Sequence, residues 1–226
     1  MSFFDPTIQG LSHSRLNVYE QCPKKAKYKF IDKLQEPGSE NMDRGLALHK
    51  EIETWLTNPH AEIPKVLEDE TLQEWYEALR AMPHLQAELQ VAFTKTWQPV
   101  AWFGRGVWMR VAFDAAVERP DRSVLVVDHK SGKSYPEHEL QAELYALGAL
   151  HHWPSAPYVE VAFAYLDLPA IRTKIYTREA EFAVLMANVI QRTELIAKDT
   201  TFVANPGPKC RWCHFRKSGG GPCDHG

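Results

Sequence analysis

Residues 106–129 constrain the fold of this chain more than any other stretch, because two strand-like segments flank one turn there. Apolar residues alternate along VWMRVAFDAAVER, VLVVD forms a second apolar run, and RPDRS between them is typical of a turn. We predict an antiparallel hairpin whose first strand places on one face Met109, Val111, Phe113, Ala115 and Val117. The other face is predicted to carry Arg110, Ala112, Asp114 and Ala116.

Helical and strand periods on both sides of this hairpin predict a mixed architecture. Helices are predicted in residues 12–28, 43–56, 67–82, 136–153 and 178–199. Pro23 is expected either to divide the first helix or to kink it. Further strands are predicted in 89–97, 158–168 and 171–177, a loop in 35–42, and an irregular tail in 205–226. The pattern indicates one α/β or α+β domain with a terminal appendage.

Composition limits the class of protein. The 226 residues are 44% hydrophobic, which suffices for a buried core, and their net charge of −3 does not indicate a wholly basic nucleic-acid-binding protein. No apolar run approaches the ~18 residues of a membrane span. The first residues, MSFFDPTIQG, lack the basic start and apolar run of a secretion signal. The expected location is therefore the cytoplasm, or the host cytoplasm if the chain is phage-encoded.

Asp128 and Lys130 lie two residues apart at the end of the second predicted strand, so their side chains are expected on one face. The hairpin would bring Asp114 of the first strand beside Asp128 on that face. Two adjacent carboxylates repel each other unless a cation lies between them, and hard oxygen ligands favour Mg²⁺ or Mn²⁺. A lysine beside such an ion suits hydrolysis of a phosphodiester. The alternative is a strand-end turn with a surface ion pair.

Four further residues extend this group. His49 follows Gly45 by four positions on a predicted helix, and imidazole is a frequent metal ligand, although an ordinary core or surface histidine is the alternative. Gln141 and Tyr145 are also four apart, so their polar ends could orient the lysine or bind a phosphate. Amphipathic packing explains that pair equally well. Glu88 opens the strand ELQVAF and could add a carboxylate.

The four cysteines indicate a metal or iron–sulfur site. Cys210, Cys213 and Cys223 lie in a tail rich in Gly and Pro, whereas Cys22 lies far upstream. Without a secretion signal, a disulfide framework is not expected. A Cys-x-x-Cys pair followed by a third cysteine is typical of metal binding.

Six segments occur together in an order that resembles one nuclease family. They are SHSRLNVYEQCPKKAKY, RGLALH, AELQVAF, FDAAV, VVDHKSGK and QAELY. With the cysteines, the chain resembles RecB-type PD-(D/E)xK nucleases, especially the iron–sulfur RecB-like exonucleases of CRISPR systems, AddB-type nuclease domains and their phage relatives. The resemblance extends from Ser12 to Cys223. It implies an α/β fold with a restriction-endonuclease-like core, in which helices flank a central mixed sheet.

The same resemblance implies one nuclease domain over residues 1–226. Within it, the N-terminal helical region would cover 12–82, the nuclease core 86–198 and the cysteine-rich tail 205–226. Metal binding would belong to His49, Asp114, Asp128 and the backbone carbonyl of His129. Catalysis and substrate placement would belong to Lys130, Gln141 and Tyr145. Strand parity directs the His129 side chain away from the metal, so only its backbone is expected to take part.

The iron–sulfur relatives hold a 4Fe–4S cluster through one cysteine before the nuclease core and three after it. Cys22 matches the first, and the other three match Cys210, Cys213 and Cys223. Such a cluster would join the N-terminal helices to the tail. Nine residues separate Cys213 from Cys223, more than is usual in relatives. Four thiolates also suit Zn²⁺, with His214 or His225 able to replace one of them.

The resemblance therefore predicts a metal-dependent DNA exonuclease that acts on single-stranded or end-processed DNA in phage recombination, DNA repair or CRISPR adaptation. Trp102, Phe103 and Trp108 could stack on unpaired bases or belong to the core. A second candidate DNA surface in the tail comprises Arg211, Trp212, Arg216 and Lys217. The alternative function is a nuclease-fold DNA-binding or scaffold protein with Zn²⁺ in the cysteine site and little cleavage activity.

Overall fold

The computed structural model describes residues 10–133, 135 and 137–226. The predicted domain start and the predicted helix start at residue 136 lie outside the described residues. The helices are α1 (His13–Gln21), α2 (Pro23–Ala26), α3 (Glu40–Thr57), α4 (Glu70–Arg80), α5 (Glu137–His152) and α6 (Arg178–Lys198). The strands are β1 (Gln86–Phe93), β2 (Pro99–Val100), β3 (Met109–Glu118), β4 (Val124–Lys130), β5 (Tyr158–Tyr165) and β6 (Ala170–Thr177). None of the helices in this described part is both long and apolar enough to cross a membrane.

The six strands form one mixed sheet in the order β2-β1-β3-β4-β5-β6. β4 and β5, which α5 connects, pair in parallel, and the other neighbours pair antiparallel. The predicted hairpin is confirmed, since β3 and β4 pair antiparallel around the turn at 119–123. This mixed sheet flanked by helices confirms the predicted α/β, restriction-endonuclease-like fold.

Helices pack on both faces of the sheet and bury two apolar clusters. One cluster joins α1, α5 and α6 to the sheet through residues such as Leu16, Leu144 and Val189. The other joins α3 and α4 to the sheet through residues such as Ile52 and Tyr76. These sides are called the α5 face and the α3 face below. A strand buried on both faces needs a continuous apolar run, which residues 124–127 of β4 provide.

The alternation predicted for β3 is wrong at one point, Asp114. Phe113 belongs to the α5-face cluster, whereas Ala115, two residues later, belongs to the α3-face cluster. In β1, Glu88 has a left-handed backbone with φ +51°. A residue that departs from extended geometry shifts the alternation of side chains by one position. In β1 and in β3, the odd-numbered side chains therefore change from one face of the sheet to the other, and both changes occur at the same level of the sheet.

Local signals explain where the first helices begin and end. Ser39 caps α3 by accepting a hydrogen bond from the Met42 amide at 3.3 Å. The helix therefore starts at Glu40, and the loop predicted for 35–42 is wrong in its last three residues. Pro23 divides the N-terminal segment, because α1 ends before it and α2 begins with it. A π-helical turn, Lys27–Ile31, follows α2.

Candidate active site

Acidic residues of three neighbouring strands meet at one level of the sheet. The register of β1 and β3 places Glu88 opposite Asp114, with regular pairs on either side. β3 and β4 pair as far as Ala115 and Val127 and then separate, so Asp114 and Asp128 flank the opening between them. Where the two strands separate, their backbones no longer bond to each other. Polar side chains can therefore enter the space between them.

His49 of α3 and the backbone of His129 line this opening on the α3 face. Asp114 Oδ2 accepts a hydrogen bond from the His129 amide at 2.6 Å and lies 3.4 Å from His49 Nδ1. His49 Nε2 lies 2.9 Å from the His129 carbonyl oxygen. Gly45, one turn earlier on α3, permits this approach, since a Cβ there would lie 3.2 Å from Ser131 Oγ. Nδ1 is thus the ring nitrogen available to a cation beside Asp114.

Glu88 joins His49 and Asp114 in a group that fits a divalent cation. One ligand atom from each lies within 4.8 Å of the others, and the described part of the chain holds no other such group of His, Cys, Asp or Glu. An imidazole nitrogen with carboxylate oxygens suits Mn²⁺ or Mg²⁺. Glu88, which the sequence offered only as an additional carboxylate, is therefore part of a group whose geometry fits a cation.

Asp128 lies on the α5 face in a closed network with Lys130, Gln141 and Tyr145. Lys130 Nζ lies 2.6 Å from Asp128 Oδ2 and 2.6 Å from Gln141 Oε1. Gln141 Nε2 donates to Asp128 Oδ1 at 2.7 Å and to the Tyr145 hydroxyl at 2.8 Å. The Tyr145 hydroxyl in turn donates to Asp128 Oδ1 at 2.6 Å. The structure thus brings the residues singled out in the sequence into two adjoining groups, this network and the one around His49.

The two aspartates contact helices on opposite faces of the sheet, whereas strand alternation predicted one face for both. Burial and the charge of Asp114 raise the pKa of Asp128, which is 3% exposed, to about 6. Burial would also raise the pKa of Asp114, but hydrogen bonds and charge from His49 and His129 outweigh it and lower that pKa. Asp128 Oδ2 is paired with the Lys130 ammonium group at 2.6 Å, and its second lone pair remains for a cation.

The His129 side chain has a partner that the sequence did not indicate. It lies on the α3 face, as the parity of β4 predicts, with Nδ1 2.7 Å from the hydroxyl of Tyr76 in α4. Burial lowers the pKa of His129 to about 4, so its ring is neutral near pH 7. Tyr76 therefore fixes the residue whose backbone contacts both Asp114 and His49. The only signal in the sequence was a polar residue at the end of an apolar strand.

The aromatic residues considered for base stacking divide into buried and exposed ones. Trp108 is buried against Trp97, with ring centroids 5.2 Å apart, and belongs to the core. Phe103 is 78% exposed. In the tail, Trp212 is exposed, and the Arg211 guanidinium lies 3.5 Å from its ring centroid. Phe103 and Trp212 are thus the members of the two sets with rings open to solvent.

The four cysteines line one cavity of about 630 Å³ between the N-terminal helices and the tail. Cys22 lies between α1 and α2, and Cys210 lies in a short 3-10 helix, Pro208–Trp212. The backbone amides of Asn205 and Gly207 donate to the sulfurs of Cys22 and Cys210 at 3.5 and 3.4 Å. Such donors stabilise a thiolate, which is the form that binds metals.

The spacing of the sulfurs distinguishes the two candidate occupants of this cavity. A single tetrahedral Zn²⁺, with Zn–S bonds of about 2.3 Å, requires sulfurs about 3.8 Å apart. Although the structure describes all four cysteines, no three of their sulfurs lie within 4.8 Å of one another. A 4Fe–4S cluster binds each thiolate at a different iron and accepts a wider spacing. A single Zn²⁺ ion would therefore require at least some of these sulfurs to move closer together.

A family model and two solved structures are similar to this chain. A family model described as the PD-(D/E)XK nuclease superfamily matches residues 10–218. No curated protein matches the chain significantly. Among solved structures, a "putative exonuclease" from Eubacterium rectale has a TM-score of 0.51 and 10% identity over 86% of this chain and 83% of its own. The protein SSO0001 has a TM-score of 0.42 and 15% identity over 92% of this chain and 84% of its own.

Proposed function

Because the chain belongs to the PD-(D/E)XK nuclease superfamily, a group of metal-dependent phosphodiester hydrolases, we propose that it is a DNA exonuclease acting on single-stranded or end-processed DNA. The observation that carries the proposal is the position of Lys130. Its ammonium group is held by Asp128 and Gln141, next to the cation-binding group of His49, Glu88 and Asp114. The cytoplasm, and a role in phage recombination, repair or CRISPR adaptation, remain predictions.

Residues from both faces of the sheet would hold Mg²⁺ or Mn²⁺, namely His49, Glu88, Asp114, Asp128 and the carbonyl oxygen of His129. A divalent ion at such a site lowers the pKa of a bound water molecule and offsets negative charge on the phosphate. Gln141 and Tyr145 donate hydrogen bonds to Asp128 Oδ1, whereas Oδ2 is paired with Lys130 and keeps a lone pair for the ion. They would thereby orient the carboxylate before any ligand arrives.

Lys130 would act on the attacking water and on the phosphate. Its ammonium group is fixed between two acceptors, so it needs little reorganisation to hold a water molecule or to offset charge that develops on the phosphate oxygens. In the reaction, the water oxygen forms a new bond to phosphorus and the bond to the leaving sugar oxygen breaks. The leaving oxygen takes up a proton as the water gives one up.

We propose a 4Fe–4S cluster as a structural cofactor held by Cys22, Cys210, Cys213 and Cys223. The proposal is supported by the cavity that all four cysteines line, by the absence of any three sulfurs within 4.8 Å of one another, and by the amides that donate to two of the sulfurs. The cluster would join the N-terminal helices to the tail. Zn²⁺ is the weaker alternative because a single ion would require the sulfurs to move closer together.

The alternative function, a DNA-binding or scaffold protein with little cleavage activity, is less well supported. Lys130 and Asp128 form a largely buried ion pair with a complete set of hydrogen-bonding neighbours. Burying two charges is costly, and perturbed buried groups beside cation ligands are typical of catalytic sites. A protein that only binds DNA would use basic groups on its surface and would not need a buried pair such as Lys130 and Asp128.

The proposal is tested by incubating linear single-stranded, linear duplex and circular single-stranded DNA, and RNA, with the protein in Mg²⁺, Mn²⁺ or EDTA. We expect metal-dependent degradation of linear single-stranded DNA, little cleavage of circles, and a loss of at least ~100-fold in Lys130→Ala. Lys198→Ala, which removes an exposed lysine paired with Glu194, should retain full activity. Inactive wild-type protein, or equal activity of Lys130→Ala, would contradict the proposal, and rapid cleavage of circles would contradict exonuclease action.

A further inference from the structure

The β1–β3 ribbon continues beyond the candidate active site and exposes one face to solvent. Its odd-numbered residues, such as Val91, pack into the α5-face cluster. On the other side, Gln90 and Ala112 form an exposed cross-strand pair directly after the level of Glu88 and Asp114. We call this side, with the next pair, the ribbon face; its residues are the exposed Gln90 and Ala112, the partly exposed Arg110 and the buried Ala92.

An aromatic turn lies at the far end of the ribbon face. The Gly104 amide donates to the Ala101 carbonyl oxygen at 2.6 Å, so Trp102 and Phe103 are the two central residues of a β-turn. Gly104 is required there, since a Cβ would lie 2.7 Å from Val100 Cγ2 and 2.8 Å from the Ala101 oxygen. The turn is therefore tight, and it holds two neighbouring aromatic side chains at the tip of the ribbon.

A cation lies between these aromatic rings and the active site. The Arg110 guanidinium carbon lies 5.2 Å from the ring centroid of Trp102 and 5.2 Å from that of Phe103. Arg105, in the same loop, is exposed. Phe103 is 78% exposed, so its ring is open to a ligand. A large exposed ring beside guanidinium groups is the combination that binds bases by stacking and phosphates by charge.

The ribbon face connects the turn to the candidate active site. Arg110 lies four positions before Asp114 along β3, which corresponds to about 14 Å at about 3.4 Å per residue. That length equals about four nucleotides stacked at about 3.4 Å each. The side chains between the two ends include Ala112, which is small and exposed and leaves room above the ribbon at that point. An extended strand could therefore contact the turn and the catalytic groups together.

We propose that the ribbon face and the aromatic turn bind an unpaired nucleic-acid strand whose scissile phosphate lies at the candidate active site. One or two bases stack on Phe103 and Trp102, and Arg110 and Arg105 contact the phosphates. The inference rests on the proposed nuclease function and adds to it a binding site several nucleotides from the bond that is cut. A duplex end would have to separate before one strand could follow this face.

The inference predicts how binding depends on strand length. Binding of fluorescent oligothymidylates is measured by anisotropy in EDTA with the Lys130→Ala protein, so that no cleavage interferes. In this background, adding Phe103→Ala should weaken binding of a strand of about ten nucleotides by about tenfold. A dinucleotide, too short to reach the turn, should bind the two proteins equally. Phe103→Tyr, which keeps a ring, should bind like the parent, and so should Leu195→Ala, which truncates an exposed apolar residue of α6.

Equal binding of the long strand by Phe103→Ala and its parent would overturn the inference. An equal loss of affinity for the dinucleotide, or the same loss for blunt duplex, would also overturn it. The contribution of the turn to binding would then not depend on strand length or on unpaired bases. These outcomes are separable from failure of the nuclease proposal, which is judged from cleavage by the wild-type protein. If the long strand bound equally while the wild-type protein degraded DNA, the ribbon inference alone would fail.

Discussion

At the residue scale, the site depends on single departures from regular geometry. Strand parity correctly predicted that Asp128 and Lys130 share a side, because alternation is a local property and both contact Gln141. It could not place Asp114, since the alternation breaks there, opposite the left-handed backbone of Glu88. That break is set by packing on both faces of the sheet and has no signal within either strand. The interaction of Tyr76 with His129 was hidden for the same reason.

The cation-binding role of Glu88 predicts the behaviour of Glu88→Gln. Glutamine keeps the shape of the side chain but removes the negative charge beside His49 and Asp114. We expect Mn²⁺ affinity to fall about tenfold, since one charged ligand is lost from a group of three. Isothermal titration or Mn²⁺ electron paramagnetic resonance measures it. Glu118→Gln, at the exposed far end of β3, is the matched control, and an equal effect of the two variants would argue against the role of Glu88.

The network around Asp128 predicts the behaviour of Tyr145→Phe. The change removes a hydroxyl that donates to Asp128 Oδ1 at 2.6 Å and leaves the ring in place. Hydrogen bonds to charged groups contribute about 1.5–3 kcal/mol, so we expect kcat/KM to fall about tenfold or more with a small change in Tm. Tyr158→Phe removes a comparable hydroxyl that donates to Asp121 on the surface and should leave kcat/KM unchanged. Unchanged kcat/KM in Tyr145→Phe would show that Asp128 needs no such orientation.

At the element scale, α5 connects the candidate active site to the base of the ribbon. Its first half carries Gln141 and Tyr145, and Gly148 then lets the helix approach β3, since a Cβ there would lie 2.9 Å from Val111 Cγ2. In its last turn, the His151 ring stacks on Trp97 at 4.3 Å and 6°. The helical period predicted α5, but it could not identify these contacts because they depend on strands distant in sequence. The helix cap at Ser39, by contrast, is a local signal in the sequence, and the loop prediction overlooked it.

His151 makes the stability of the fold depend on pH. Burial, then the charge of Arg178 on α6, lowers its pKa to about 4, while in the unfolded chain a histidine has a pKa near 6.5. Between these values the unfolded state binds a proton that the folded state does not, so stability falls as pH falls from about 6.5 to about 4. Its other neighbours, Phe93, Phe182 and Met186, offer no charge to hold the proton.

We therefore expect His151→Phe, which keeps a stacked ring, to lose less free energy of unfolding than the wild type between about pH 7.5 and about pH 5. Urea unfolding at the two pH values measures the difference. His129, which is also buried, contributes equally to both proteins and cancels in the comparison. His60→Phe alters an exposed histidine and should retain the wild-type dependence. The same loss in His151→Phe and wild type would contradict the assignment.

At the scale of the whole molecule, the two ends of the described chain meet around the cysteines. The Tyr28 hydroxyl donates to the Pro222 carbonyl oxygen at 3.1 Å, and its ring lies 5.4 Å from that of Phe215. Asn205 Nδ2 donates to the Gln21 carbonyl oxygen at 3.1 Å. The resemblance to iron–sulfur nucleases implied that these ends come together. It could not give the distances between sulfurs, which depend on how the helices and the tail pack.

A cluster bound by Cys22 and the three tail cysteines would close a loop of nearly the whole chain. In the chain-entropy model, such a cross-link lowers the free energy of the folded state relative to the unfolded one by about 5 kcal/mol for loops of 100 residues or more. We expect Cys22→Ser to lose the visible absorption of an iron–sulfur cluster and to unfold at clearly lower urea concentration. Anaerobic reconstitution with iron and sulfide should restore both properties in metal-depleted wild type but not in the variant.

Because the catalytic groups lie on the sheet and on α3 and α5, Mn²⁺ binding by the folded variant should change little. Colourless wild-type protein with stoichiometric zinc would contradict the cluster, and unchanged stability of Cys22→Ser would contradict the cross-link.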